Sequence, residues 1–176
     1  MVEVCERRAI LEQLAESLPK HAGWRRRLGR ELLKQRIDLT VHLAIFVEPY
    51  LSAVLDGRKT IESRFGVQKR SPYLRIQTGD IILLKRSGGP VMGVAIAQTV
   101  RFYQLSPTVL DRLRDEFAEA LFAQDDEFWD ARREKHFATL IDLQDPIAVD
   151  PFAFAKRDRQ GWVTYDGAKN DTLIHG

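Results

Sequence analysis

The sequence predicts an α+β protein: a small mixed β-barrel with flanking helices and an N-terminal helical extension. Three observations lead there. Residues 1–38 place apolar side chains at helical spacing. From His42 onward, short apolar runs are divided by turns rich in Gly and Pro and by helical stretches. Two of those runs, Ile81–Arg86 and Val91–Phe102, are joined by Ser87-Gly88-Gly89-Pro90, a hairpin turn. Short strands linked this way favour a barrel over a doubly wound sheet.

In the first helix Ile10, Leu11, Leu14 and Leu18 recur on one side, and Pro19 and Gly23 end it. A second helical piece carries Trp24, Leu28, Leu32 and Leu33 on one side, with Arg25, Arg26, Arg27, Arg30, Lys34 and Arg36 elsewhere. That basic face suits either solvent or a phosphate backbone. His42 to Val47 reads as a core strand. Pro49 suits the first turn of a helix whose buried face is Tyr50, Leu51, Val54 and Leu55, ended by Asp56-Gly57. A strand is expected over Lys59 to Arg64, then a polar and basic loop from Phe65 to Thr78.

Gly79-Asp80 leads into the first hairpin strand, and Gly93 in the return strand marks a bulge or a close backbone approach. Ser106-Pro107 opens a helix with a serine cap and proline in its first turn. Asp125-Asp126 begins a short helix bearing Phe128 and Trp129, with Arg132, Arg133 and Lys135 near its C-terminus. His136 to Leu143 returns to strand, Pro146 and Pro151 suggest an edge, and Gly161 to Tyr165 forms a closing strand. The expected organisation is a helical extension over 1–40, a barrel domain over 41–166 and a polar tail over 167–176.

The chain has 176 residues, 44% of them hydrophobic, which suits one core and excludes disorder throughout. A net charge of +2 and a pI near 8.8 neither require nor exclude an anionic partner. The single cysteine, Cys5, excludes an internal disulfide and a thiolate metal site. No apolar run approaches the roughly 20 residues that span a bilayer, so no membrane association is expected. The N-terminus lacks a signal-peptide pattern, and a cytoplasmic, reducing setting is the expectation. His21, His42, His136 and His175 are scattered without metal-ligand spacing. There is no P-loop, dinucleotide glycine fingerprint or nucleophile elbow. Neither metal nor cofactor is expected.

One stretch concentrates charge: Gly57-Arg58-Lys59-Thr60-Ile61-Glu62-Ser63-Arg64. By itself it suits either a solvated helix end or a polar constellation at the mouth of a pocket. In context it carries a family pattern. Gly57-x-Lys59-x-x-Glu62-x-Arg64, then Gly79-Asp80 and an apolar strand, resembles the ASCH family of PUA-like β-barrels. The hairpin from Leu84 to Gly93 and the final Trp162-Val163 match the longer bacterial members. The resemblance covers His42 to Tyr165.

It implies a PUA-like barrel with a cleft holding Lys59, Glu62 and Arg64, and binding of RNA or a nucleotide-like small molecule. It also implies an alternative: a hydrolase acting on N4-acetylcytidine-type nucleosides, or a ribonuclease, with Lys59 and Glu62 as catalytic candidates. Short amidohydrolases of the family carry a threonine three residues after the lysine, where this chain has Glu62.

The residues themselves refine this. A lysine base needs its pKa lowered by burial or by cations, for which Arg58, Arg64 and Lys85 are candidates. Strand alternation puts Glu62 and Arg64 on one face as an ion pair and Lys59 on the other, free to meet a ligand. Lys69, Arg70, Tyr73, Lys85 and Ser87 complete the expected binding set, because cations interleaved with an aromatic suit single-stranded nucleic acid.

Overall fold

The computed structural model describes residues 2–20, 22–35, 37–154 and 160–166. In chain order these form α1 (Val2–Ser17), α2 (Ala22–Leu33), β1 (Val41–Phe46), α3 (Tyr50–Leu55), β2 (Ile61–Gly66), β3 (Ile81–Arg86), β4 (Val91–Gln104), α4 (Pro107–Phe117), α5 (Asp126–Asp130), β5 (Phe137–Phe152) and β6 (Trp162–Tyr165). The expected tail over 167–176, His21 and His175 lie outside the described residues.

The strands make one mixed sheet in the order β2-β5-β4-β3-β1-β6, curled into a half-barrel. β1 runs parallel to β3 and antiparallel to β6. Being internal, β1 is covered on both faces, which is why its sequence is a near-continuous apolar run. Val41 and Leu43 face one core cluster, Ala44 and Phe46 the other. β2 and β6 are the two edges of the sheet, so the half-barrel has an open seam between them.

The helices of the extension pack on the sheet. Ile10, Leu11, Leu14 and Leu18 of the α1 region and Trp24 and Leu28 of α2 share one buried cluster with Val41, Leu43, Ile81 and Leu83. The Trp24 indole N–H donates to the Asp145 carbonyl at 2.9 Å, tying α2 to β5. Arg8 caps the far end of α2 by donating to the Leu32 and Lys34 carbonyls. α4 begins as its sequence predicts: Pro107 opens it, and the Ser106 hydroxyl accepts from the Val109 amide. α4 and α5 cover the β2–β5 end of the sheet through Leu110, Leu113, Phe117, Phe128 and Trp129.

Two glycines are required by the backbone. Gly57 ends α3 with φ +83°, a conformation that costs a side chain dearly. At Gly93 a Cβ would stand 2.7 Å from Leu55 Cδ2 and 2.8 Å from the Ile147 carbonyl, so the close approach read from sequence is real.

The structure corrects two boundaries. β2 begins at Ile61, not Lys59, because the amides of Thr60 and Ile61 both donate to the Ala120 carbonyl and that of Lys59 donates to Ala53. The backbone there is tied to α3 and to the turn after α4, so strand alternation has not begun. β5 runs straight through Pro146 to Phe152. Proline is tolerated because the β4–β5 register shifts between Val94 and Ile96, leaving Asp145 and Pro146 out of the ladder, with Asp145 at φ 49°.

Candidate functional site

Two clefts share Arg64 and Phe65 in their linings. The first, about 340 Å³, is lined by Tyr50 of α3, Lys59, Glu62 and Phe65 around β2, and Phe128 and Arg132 around α5. The second, about 370 Å³, lies along Phe65 to Tyr73 and includes Arg70, Ser71, Tyr73 and Phe137.

Lys59 does not point away from Glu62. Because it precedes the strand, its side chain turns inward, is 3% exposed, and places Nζ 3.4 Å from Glu62 Oε2. The ammonium also donates to the Ile61 and Leu121 carbonyls at 2.7 and 3.0 Å. Burial pushes the Lys59 pKa below its ordinary value; Glu62 opposes that shift, and Arg64 and Arg132 add to it. The neighbouring cations are therefore Arg64 and Arg132. Arg58 instead forms an exposed pair with Asp56 at 2.7 Å.

The expected Glu62–Arg64 pair is present: Arg64 Nε lies 2.9 Å from Glu62 Oε1, but its N–H is not aimed at that oxygen. The attraction is therefore electrostatic, and the Nε–H is a buried donor without an aligned acceptor. Arg64 also spans the seam. Its guanidinium donates to the Gly161 carbonyl beside β6 at 3.1 Å and to Ile45 of β1 at 2.9 Å. It sits 5.1 Å from the Trp162 ring and 5.5 Å from that of Phe46. One edge strand of the half-barrel is thus strapped to the other by a single side chain.

Other expected residues are placed as follows. Arg70 and Tyr73 line the second cleft, and Tyr73 packs against Phe102 and Phe137 at ring separations of 5.4 and 5.1 Å. Lys69 lies with Nζ 5.5 Å from the Phe137 ring. Lys85 and Ser87 line neither cleft. In β3 Ile81 and Leu83 face the N-terminal helices, and alternation puts Lys85 on that same side. Ser87 is exposed in the hairpin, its amide donating to the Phe46 carbonyl.

Sequence reading missed Arg132 and the aromatic walls of the first cleft. The Arg132 guanidinium lies 3.4 Å from the centre of the Phe128 ring and 5.1 Å from that of Phe65. It caps α5 by donating to the Phe128 carbonyl at 2.6 Å. Desolvation pushes its pKa down, and Tyr50, Glu62 and Asp125 partly offset this. Among the described residues no carboxylate forms an ion pair with it, although Glu62 is held close by in the same cleft. The signal was present: Phe128 and Arg132 stand four apart, the spacing at which helix-surface neighbours meet. Burial likewise raises the Tyr50 pKa, so its hydroxyl stays protonated and available as a donor. Among the described residues no group of three or more His, Cys, Asp and Glu side chains could hold a metal ion, and no helix is long and apolar enough to cross a membrane.

No protein-family model matches the chain, and no curated protein matches it. Solved structures do. The ASCH protein of Zymomonas mobilis superposes with a TM-score of 0.53 at 17% identity, covering 65% of this chain and 73% of that one. A point variant of the same protein gives 0.52 at 17% identity over 66% and 75% of the two chains. A protein of Enterococcus faecalis superposes at 0.50 with 11% identity, over 72% of this chain and 86% of its own. At such identities the likeness establishes the fold: a curled half-barrel sheet with flanking helices, of the ASCH-type, PUA-like kind.

Proposed function

We propose that this ASCH-fold protein binds RNA or a nucleotide-like ligand, with its anionic group in the first cleft beside Lys59, Glu62 and Arg64. The observation that carries the reading is Arg132. A half-buried guanidinium stacked on an aromatic ring and, among the described residues, without a carboxylate in ion-pair contact is a ready site for a phosphate, which can take two parallel N–H donors. Tyr50 and Phe65 offer faces on which a base can stack, and Lys135 adds a second cation at the rim. Lys59, Glu62 and Arg64 form the floor: their charges largely satisfy one another and hold the corner in shape.

Binding of a labelled oligoribonucleotide, followed by anisotropy over a salt series, tests this. Affinity falls steeply with salt, and Arg132→Ala weakens it about tenfold while reducing the salt slope by about one. Unchanged binding in that variant, or no salt-dependent binding of any oligoribonucleotide or mononucleotide, would overturn the assignment.

A second reading has one observation in its favour. The depressed pKa of buried Lys59 is what a general base requires, and N4-acetylcytidine-type amide hydrolysis is a reaction it could serve. Thr60 is not the nucleophile for such a step, since it is exposed and lines a separate shallow cleft with Gly57 and Arg58. Water would attack the acetyl carbon as Lys59 Nζ takes its proton, and that proton would pass to the departing cytosine amine, giving acetate and cytidine. The neutral amine is the active form, so the rate climbs with pH through the lowered Lys59 pKa and levels off below the ordinary 10.5. Lys59→Arg, permanently charged, abolishes turnover. Product formed equally by that variant, or none formed by the wild type at high enzyme concentration, rules the reaction out.

A further inference from the structure

The second cleft contains a feature that phosphate binding does not use: a hydrogen-bonded chain running from its wall into the core. Ser71 lines the cleft, and its Oγ lies 2.5 Å from Thr164 Oγ1 of β6. Thr164 Oγ1 lies 3.1 Å from His42 Nδ1. His42 is fully buried, and its Nε2 lies 2.9 Å from Asp80 Oδ2. Asp80 is itself held by the Gln77 amide at 2.8 Å.

The direction of every proton in this chain follows from two fixed groups. The Trp162 indole N–H, which can only donate, points at His42 Nδ1 at 3.0 Å. Nδ1 must therefore be an acceptor and Nε2 must carry the hydrogen, which it donates to Asp80. The Thr164 hydroxyl, 3.1 Å from the same Nδ1, shares that single lone pair with the indole N–H in a three-centre bond, because the opposite orientation would set an oxygen lone pair against it. The Thr164 oxygen is then the acceptor for Ser71. The Ser71 proton is drawn inward, and the lone pairs left on its oxygen are all that it offers a ligand. Ser71 is a fixed hydrogen-bond acceptor.

We infer that Ser71 is a ribose-recognition residue, accepting a hydrogen bond from the 2′-hydroxyl of a ribonucleotide bound in the second cleft. The arrangement along the loop matches the order of groups in a nucleotide. Arg70 supplies a cation on one side of Ser71 and Tyr73 an aromatic ring on the other, as phosphate and base flank a ribose. Arg64 and Phe65 line both clefts, so one strand can pass from the Arg132 pocket to Ser71. Thr164, His42 and Asp80 touch no ligand; they are positioning residues that set the polarity of Ser71.

The inference rests on the nucleic-acid reading, and the test separates the two. An oligouridylate and the matching oligodeoxyuridylate are titrated against wild type, Ser71→Ala and Thr164→Val, with melting temperatures as controls. The wild type prefers the ribose form about fivefold, in keeping with one net hydrogen bond. Ser71→Ala brings the ratio to about one by weakening only the ribose form. Thr164→Val, which frees the Ser71 hydroxyl to rotate, also lowers the ratio, a change that a purely structural role would not produce. Equal binding of both oligomers by the wild type, or an unchanged ratio in Ser71→Ala, overturns the inference and leaves the nucleic-acid reading standing. Failure of both oligomers, and of mononucleotides titrated beside them, to bind overturns both.

Discussion

Deleting residues 2–38 abolishes folding. The truncation strips Ile10, Leu11, Leu14, Leu18, Trp24, Leu28 and Ile37 from the sheet, and each of these is at most 3% exposed. Each fully buried large side chain contributes about 1.5–3 kcal/mol, so the seven together contribute about 10–20 kcal/mol. That equals or exceeds the whole stability of a typical domain, about 5–15 kcal/mol. The deletion also exposes Val41, Leu43, Ile81 and Leu83, all at 0% exposure, as an apolar sheet face open to aggregation. Expression of residues 39–176 should yield insoluble chain, or a soluble one that binds a hydrophobic dye and melts without cooperativity. A cooperative transition within a few degrees of the full chain's would show instead that α1 and α2 are an accessory to an independent barrel.

What could be read from sequence follows the range of the forces involved. Helix faces, the Ser106 cap and the hairpin at Ser87–Pro90 rest on residues within a few positions of one another, and they stand where expected, except that Leu33, read onto the apolar side of α2, is exposed at its end. The Glu62–Arg64 pair was legible for the same reason, since two residues in a strand share a face when they are two apart. Lys59 was misplaced because alternation was applied two residues too early. The interaction that delays β2 is a pair of hydrogen bonds to Ala120, some sixty positions away, which no local pattern reveals. The same limit hid the chain behind Ser71. His42, Asp80, Thr164 and Trp162 come from β1, the turn before β3, and β6, and only the parallel β1–β3 register with β6 alongside brings them together. Sequence placed Asp80 just before the first hairpin strand and Trp162 in the closing strand, and both placements stand.

Glu62→Gln carries the largest cost of any single substitution at the site, and its pH dependence identifies the cause. Glu62 is 5% exposed and is the only acid in ionic contact with Lys59 and Arg64 among the described residues. Removing its charge leaves a buried ammonium without a counter-ion, a change that costs about 3–5 kcal/mol. Glutamine keeps an amide oxygen, and Arg64 keeps its carbonyl partners at Ile45 and Gly161, so the lower end, about 3 kcal/mol, is expected. Glu62 also offers the largest opposition to the downward shift of Lys59, so its loss lets that pKa fall further. Between the lowered folded value and the ordinary 10.5 of the unfolded chain, the unfolded state binds more protons, and stability therefore rises with pH. The Glu62→Gln deficit should be large at about pH 7 and shrink by about pH 9, as Lys59 loses its proton in the folded state. Urea unfolding of both proteins at the two pH values measures this. A deficit that is equally large at both would mean that Lys59 stays charged without Glu62, sustained by the Ile61 and Leu121 carbonyls alone, and the corner would then owe its shape to those two hydrogen bonds instead of to the carboxylate.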